Sequence, residues 1–187
     1  MDPQSVIEAG RAAMLAAGVS LTPDFVSPQE QAELIAWAEA MEPHLKPNRM
    51  YRAYRDVRTL PDIPPIWTAV RQRVETLMAL GDDPAVEPIF GLFLSIIRSG
   101  GRVHNHHDSS PPGTRHLRCN LFVDVPREGG RPIILRKAID VAPRTLLAFY
   151  ANEMRHASEV FDRDRRIVLS FGYTVPAAHR LPNAIGA

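Results

Sequence analysis

Proline is the residue that most restricts the fold of this chain. Seventeen prolines are spread over 187 residues, and because proline ends helices and removes a backbone donor, the helices must be short and the loops many. Before Gly81 the apolar residues recur at helical spacing. Ser27 and Glu30 have the spacing of a capping box, which marks the start of a helix. The predicted helices run from Ser5 to Ala17, from Ser27 up to Pro43, and from about Pro65 to Gly81.

After Gly81 the pattern changes to that of extended chain. Short segments rich in β-branched or aromatic residues are separated by Gly, Pro, Asp or Asn. The predicted strands are 89–97, 117–125, 131–136, 144–150 and 166–175. We therefore expect a mostly β fold with N-terminal helices, in a single domain over residues 1–187. Its helical part would be 1–81, its β core 82–176 and its tail 177–187.

Composition and charge disfavour several classes of protein. The chain has 22 Lys and Arg against 21 Asp and Glu, and this balance disfavours a nucleic-acid binder, which needs an excess of clustered cations. The longest nearly apolar run, Ile89 to Ile97, is much shorter than a membrane-spanning helix. The N-terminus does not have the pattern of a secretory signal. A single cysteine, Cys119, fits a reducing compartment, so we expect a cytoplasmic protein.

Histidines mark the candidate site. Four of the seven fall within thirteen residues: His104, His106, His107 and His116. On an extended chain, residues i and i+2 point to the same side, so His106 and Asp108 would face one point and His107 would face away. His156 is the best remaining candidate for a third ligand. Two histidines and one carboxylate form the facial triad that suits Fe(II) and leaves positions open for a co-substrate and dioxygen.

Arg166 is the candidate anion-binding residue. It lies ten residues after His156, at the start of a strand that alternates cleanly. Arg166, Val168 and Ser170 would share one face, and bulky apolar residues the other. A guanidinium among small neighbours can bind a carboxylate through two hydrogen bonds. The alternative is a solvent-facing arginine on an edge strand, which is the expectation for Arg165.

Together these residues resemble the pattern of the 2-oxoglutarate- and Fe(II)-dependent oxygenases. The shared features are the H-x-D motif at 106–108, the distal His156 and Arg166. Three further stretches resemble prolyl-hydroxylase-like members of this family: 19–40, 96–108 and 129–160. The resemblance covers about residues 19–175, nearly the whole chain.

A second resemblance is to the aspartyl/asparaginyl β-hydroxylase branch of the same family. Its characteristic strand is similar to HLRCNLFVDVP at 116–126, with Arg118 and Asn120 at motif positions. Arg98 stands where prolyl-hydroxylase-like members often have a tyrosine. Ser170 stands near the place of a serine or threonine that follows the arginine in many members.

The resemblance implies a double-stranded β-helix, which is a jelly-roll or cupin-like barrel, with Fe(II) held by His106, Asp108 and His156. It also implies 2-oxoglutarate as a co-substrate that pairs with Arg166 and is consumed with dioxygen to give succinate and carbon dioxide. The reaction that this resemblance implies is hydroxylation of a C–H bond. Further co-substrate contacts are expected from Arg118, Asn120, Ser170 and Arg98.

Three functions stay open from the sequence. The first is oxidation of a small molecule such as an amino acid or its derivative. The second is hydroxylation of a peptide or protein side chain. The third is a cupin-like metal-binding protein without oxidative chemistry, which would use His104 together with His106 and His156.

The roles of several polar residues and the oligomeric state also stay open. Arg118 would bind the co-substrate, a substrate carboxylate, or the neighbouring Asp124 in a structural ion pair. Residues 48–58 contain two tyrosines and four arginines, and they would either form a solvated edge strand or line the substrate mouth. The loop 109–114 is a candidate rim or lid.

Overall fold

The computed structural model describes residues 2–182. Three α-helices lie in the first half of the chain: α1 (Pro3–Gly18), α2 (Pro28–Met41) and α3 (Pro65–Leu77). Ten strands are β1 (Val19–Thr22), β2 (Lys46–Pro47), β3 (Arg52–Asp56), β4 (Leu92–Arg98), β5 (Thr114–Asp124), β6 (Pro132–Ile134), β7 (Lys137–Ala138), β8 (Thr145–Tyr150), β9 (His156–Ser158) and β10 (Arg165–Pro176). The predicted mostly β fold with N-terminal helices is confirmed.

The strands form two antiparallel sheets. The larger sheet has seven strands in the order β1-β8-β5-β10-β4-β3-β2, and the smaller has three in the order β7-β6-β9. A separate bridge pairs His106 with His156 and so continues the smaller sheet beyond β9. One cavity is lined by residues of both sheets, so the sheets enclose it as the two walls of a double-stranded β-helix.

Alternation along the central strands separates two apolar regions. In β10, Ile167, Leu169 and Phe171 belong to the larger core, which lies between the seven-stranded sheet and helices α2 and α3. Val168, on the other face, belongs to a smaller core inside the barrel, together with residues of β8 such as Phe149. Helices α2 and α3 therefore cover the outer face of the large sheet, and the inner face is left for the cavity.

The helix boundaries follow the signals in the sequence closely. Ser27 and Glu30 make both hydrogen bonds of the capping box at the start of α2. The third helix ends at Leu77, earlier than the predicted Gly81, because Ala79 and Gly81 already have positive φ angles of 54° and 75°. Within residues 2–182, no helix is both long and apolar enough to cross a membrane.

The first 81 residues are not purely helical, and this part of the prediction needs correction. β1 pairs with β8, and β3 pairs with β4, so this part of the chain extends the large sheet at both edges. β1 has four residues, too few to show a period of two. The predicted tail, 177–187, lies partly outside the described residues.

Candidate metal and co-substrate site

The three predicted metal ligands come together at one end of the cavity. His106 and His156 exchange backbone hydrogen bonds of 3.0 and 2.8 Å, which place their imidazole centroids 4.2 Å apart. The Asp108 amide donates to the Ala151 carbonyl at 3.0 Å and fixes the third ligand beside them. One donor atom from each of the three residues lies within 4.8 Å of the other two.

Each histidine has its Nδ1 held by a backbone carbonyl. His106 Nδ1 lies 2.7 Å from the His104 carbonyl oxygen, and His156 Nδ1 lies 2.9 Å from the Met154 carbonyl oxygen. A carbonyl can only accept, so Nδ1 carries a proton in both rings. Nε2 of His156 keeps its lone pair, and Nε2 of His106 lies 3.5 Å from Asp108 Oδ1. Metal-binding histidines commonly use a backbone carbonyl in this way.

The electrostatics keep Asp108 ionised and His156 neutral. Burial alone would raise the pKa of Asp108, but the hydrogen bond with His106 and the charge of Arg118 outweigh it and hold that pKa well below its usual range. Burial lowers the pKa of His156 to about 4, so its imidazole is neutral at neutral pH. The hydrogen bond to Asp108 raises the pKa of His106, so binding of a divalent ion would release the proton that these two side chains share. One carboxylate and two imidazoles are the donor set that fits iron.

Arg166 faces the same cavity and is buried without a counterion. Its Nη1 donates to the Gly130 carbonyl and its Nη2 to Ser158 Oγ at 3.1 Å, while Nε is buried with no hydrogen-bond acceptor. Burial lowers the pKa of Arg166 to about 10, and the charge of Arg52 acts in the same direction. No carboxylate of the described residues lies within 4.0 Å of this guanidinium, so the fixed cation fits an anionic ligand.

Arg118 points into the cavity and makes a network there instead of the alternative ion pair with Asp124. Its Nη2 donates to Asp108 Oδ2 at 2.6 Å and its Nη1 to Ser170 Oγ at 3.2 Å. Ser170 in turn donates to Asn120 Oδ1 at 2.8 Å. The Asp124 alternative is wrong, because the register of β5 shifts between Phe122 and Asp124 and turns this carboxylate to the other face.

On that outer face, Asp124 pairs with Arg165 at 3.0 Å. Arg165 also pairs with Glu39 of α2 at 2.6 Å. Arg165 therefore lies opposite Arg166 in the pleat, as predicted, but it is held by ion pairs.

The expectation for Arg98 needs correction. Phe93, Ser95 and Ile97 of β4 line the cavity, so the alternation of the strand turns Arg98 to the outer face. There its Nη2 pairs with Glu42 Oε2 at 2.6 Å, and 55% of its side chain is exposed. Arg98 therefore makes no contact with the site.

Comparison with solved structures identifies the architecture. A prolyl-4-hydroxylase from Pseudomonas putida has a TM-score of 0.64 and 16% identity, covering 91% of this chain and 99% of that chain. A prolyl hydroxylase from Trichoplax adhaerens, in complex with a hypoxia-inducible factor peptide, has a TM-score of 0.67 and 11% identity, covering 94% of each chain. The epimerase SnoN in complex with Fe³⁺, α-ketoglutarate and nogalamycin RO has a TM-score of 0.67 and 15% identity, covering 98% of this chain and 89% of that chain. The fold is that of the 2-oxoglutarate-dependent oxygenases.

The likeness to this oxygenase fold lies in the backbone rather than in the sequence. No protein-family model matches the chain, and no curated protein is significantly similar to it. The double-stranded β-helix nevertheless explains why distant residues meet, since β10 lies between β4 and β5 in the large sheet. The predicted β-helix is confirmed by these structures.

The cavity also contains residues of the segment 48–58, which the sequence left open as a solvated edge strand or the lining of the substrate mouth. Arg52 and Tyr54 of β3 line it together with Phe93 and Phe122. Their signal was present in the segment 48–58, because Arg52 and Tyr54 are two residues apart and share a strand face. What the sequence lacked was the pairing of β3 with β4, which brings that face to the cavity.

Proposed function

We propose that this protein is a non-haem Fe(II)- and 2-oxoglutarate-dependent dioxygenase. It would oxidise, by hydroxylation, an unactivated C–H bond of a small molecule such as an amino acid or its derivative. One observation carries the proposal. A single cavity holds three metal donors within 4.8 Å of one another and also a buried arginine without a counterion, Arg166.

The residues have distinct roles in this proposal. His106, Asp108 and His156 would hold the iron, and Arg166 would bind the distal carboxylate of 2-oxoglutarate. When bound, Fe(II) and 2-oxoglutarate supply the oxidation of a C–H bond by dioxygen, with succinate and carbon dioxide as co-products. Arg118 orients the Asp108 carboxylate through its 2.6 Å hydrogen bond. The apolar walls of the cavity exclude water from the reacting groups.

The size of the cavity favours a small substrate. Its volume is about 270 Å³, near the lower end of ligand pockets, which span roughly 300–1,000 Å³. Part of this space would be taken by 2-oxoglutarate. The remaining space fits a metabolite or a single side chain rather than a long segment of a peptide backbone.

A peptide or protein substrate is the second candidate, and one surface feature favours it. Ile89 and Phe90 have 66% and 47% of their surface exposed, and Phe90 also lines the cavity. Exposed apolar residues beside a pocket are typical of a surface that contacts a partner. Under this alternative one side chain would enter the cavity and its flanking residues would lie on Ile89 and Phe90.

The metal-binding function without oxidative chemistry is the least supported. It requires His104 as a ligand, but the His104 side chain is exposed and only its carbonyl contacts His106. Within residues 2–182, Asp108 completes the group of metal donors in its place.

Formation of succinate tests the proposed function. Wild-type protein with Fe(II), 2-oxoglutarate and dioxygen should release succinate, and Asp108→Ala should lose this activity because one of three metal donors is removed. Asp140→Ala is the matched control, since Asp140 is exposed and pairs only with Arg131. Equal succinate from wild type and Asp108→Ala would contradict the proposal.

A further inference from the structure

A second unpaired cation faces the cavity. Arg52 of β3 donates from Nε to Ser95 Oγ at 2.9 Å, and its Cζ lies 4.8 Å from the Tyr54 ring centroid and 5.3 Å from that of Phe93. Neither of its terminal nitrogens has an acceptor among the described residues, and no carboxylate there lies within 4.0 Å. Burial lowers the pKa of Arg52 to about 10, so the side chain stays charged at neutral pH.

The charges around the cavity are unbalanced. Three arginines and one carboxylate line it: Arg52, Arg118, Arg166 and Asp108. A divalent metal ion would add two positive charges and 2-oxoglutarate two negative charges, so loading leaves the excess of cations unchanged. Like charges in a partly desolvated space repel strongly. The loaded site therefore favours a further anionic ligand.

Arg52 is the cation that remains available for that ligand. Arg118 is already engaged, since it donates to Asp108, to Ser170 and to the Phe90 carbonyl at 2.7 Å. Arg166 is assigned to the distal carboxylate of 2-oxoglutarate, and the other carboxylate of the co-substrate belongs at the metal. Neither carboxylate is left for Arg52.

The position of Arg52 separates it from Arg166, the residue assigned to 2-oxoglutarate. Arg52 of β3 and Arg166 of β10 both pair with Ile97 of β4, but they lie on opposite sides of that strand. Neighbouring strands lie about 4.8 Å apart, so these two backbones are about 10 Å apart across the sheet. The Arg52 side chain extends past Ser95 toward Phe93, whose ring is also 5.3 Å from Cζ of Arg118. Aromatic rings line the space that its guanidinium faces.

We infer that Arg52 binds a carboxylate of the substrate, and that the substrate is a small carboxylic acid whose apolar part packs against Tyr54, Phe90 and Phe93. This inference rests on the proposed function, because the assignment of Arg166 to 2-oxoglutarate leaves Arg52 free. A planar guanidinium donates two parallel hydrogen bonds to a carboxylate. The same contact would fix the orientation of the C–H bond that faces the metal.

Binding of a carboxylate probe tests the inference without knowledge of the substrate. The full-length protein is loaded with Zn(II) and 2-oxoglutarate, and loading is verified by calorimetry. Trifluoroacetate is then added, and its ¹⁹F line width is followed with increasing protein. Trifluoroacetamide is the neutral counterpart. Arg55→Gln is the matched control, since Arg55 lies in the same strand but donates to the His44 carbonyl and to Thr59, both at 3.0 Å.

Wild type and Arg55→Gln should both broaden the trifluoroacetate line saturably and leave trifluoroacetamide unaffected. Arg52→Gln should bind trifluoroacetate at least about tenfold more weakly, because it removes the charge. Equal binding by Arg52→Gln, or equal binding of the amide, would overturn the inference. A loss of 2-oxoglutarate affinity in Arg52→Gln as large as in Arg166→Gln would also overturn it, since Arg52 would then be a co-substrate residue.

Folding of the Arg52 variant and loading of the wild type are checked separately. If Arg52→Gln does not fold, Arg52→Met replaces it, because a buried charge without a counterion can be exchanged for an apolar side chain of similar length at little cost in stability. Failure of the wild type to bind metal and 2-oxoglutarate contradicts the proposed function itself. Normal loading with probe binding independent of Arg52 contradicts only the inference.

Discussion

Arg166 is held rigidly at the cavity wall and lacks only an anion. Its hydrogen bonds to Gly130 and Ser158 fix the guanidinium plane, so little conformational entropy remains to be lost when a carboxylate binds. Charged hydrogen bonds contribute about 1.5–3 kcal/mol each. Arg166→Gln should therefore weaken 2-oxoglutarate binding roughly ten- to a hundredfold while metal binding is kept.

Calorimetry of Mn(II)-loaded protein measures this effect of Arg166. Arg165→Gln is the matched control, because the neighbouring side chain pairs with Glu39 and Asp124 on the opposite face of the sheet. Arg166→Gln should lose much of its affinity for 2-oxoglutarate, and Arg165→Gln should lose little. Similar losses in both variants would show that the strand is needed but not the cavity-facing cation.

At the scale of single elements, the N-terminus of α2 has a stability effect that can be measured. Ser27 Oγ accepts from the Glu30 amide at 3.1 Å, and a Glu30 carboxylate oxygen accepts from the Ser27 amide at 2.8 Å. Ser27→Ala leaves the Glu30 amide without its acceptor and should lower the free energy of unfolding by about 1 kcal/mol. Urea denaturation checks this, with Ser27→Asp as the variant that keeps a cap and most of the stability. Equal free energies of unfolding for Ser27→Ala and Ser27→Asp would contradict the assigned cap.

Elements with a strong period were predicted well, and short ones were not. Arg166, Val168 and Ser170 alternate with bulky apolar residues in the sequence. This pattern correctly predicted which face of β10 is turned toward the cavity. β2, β7 and β9 have only two or three residues, and they exist because neighbouring strands supply hydrogen-bond partners. Such strands are consequences of the tertiary fold rather than of local pattern.

At the scale of the whole molecule, the site arises where the two sheets face each other. The metal donors were predictable because two of them share an H-x-D motif and the third resembles a known spacing. The partner of Arg118 and the placement of Arg52 at the cavity were not predictable, since each depends on which strands become neighbours. The placement of Arg98 failed for a related reason, because its position in the pleat of β4 was unknown. Sequence thus indicated the chemistry of the site, and topology determined which cations reach it.

The most direct test of the central claim is an anaerobic titration of 2-oxoglutarate into the Fe(II)-loaded protein, followed by visible absorption. Chelation of the iron by the co-substrate should produce a weak charge-transfer band that saturates in the wild type. The band should be absent in His106→Ala and should need higher 2-oxoglutarate concentrations in Arg166→Gln. Iron that binds to the wild type without any band on addition of 2-oxoglutarate would contradict the account, because the cavity would then hold a metal but not the co-substrate.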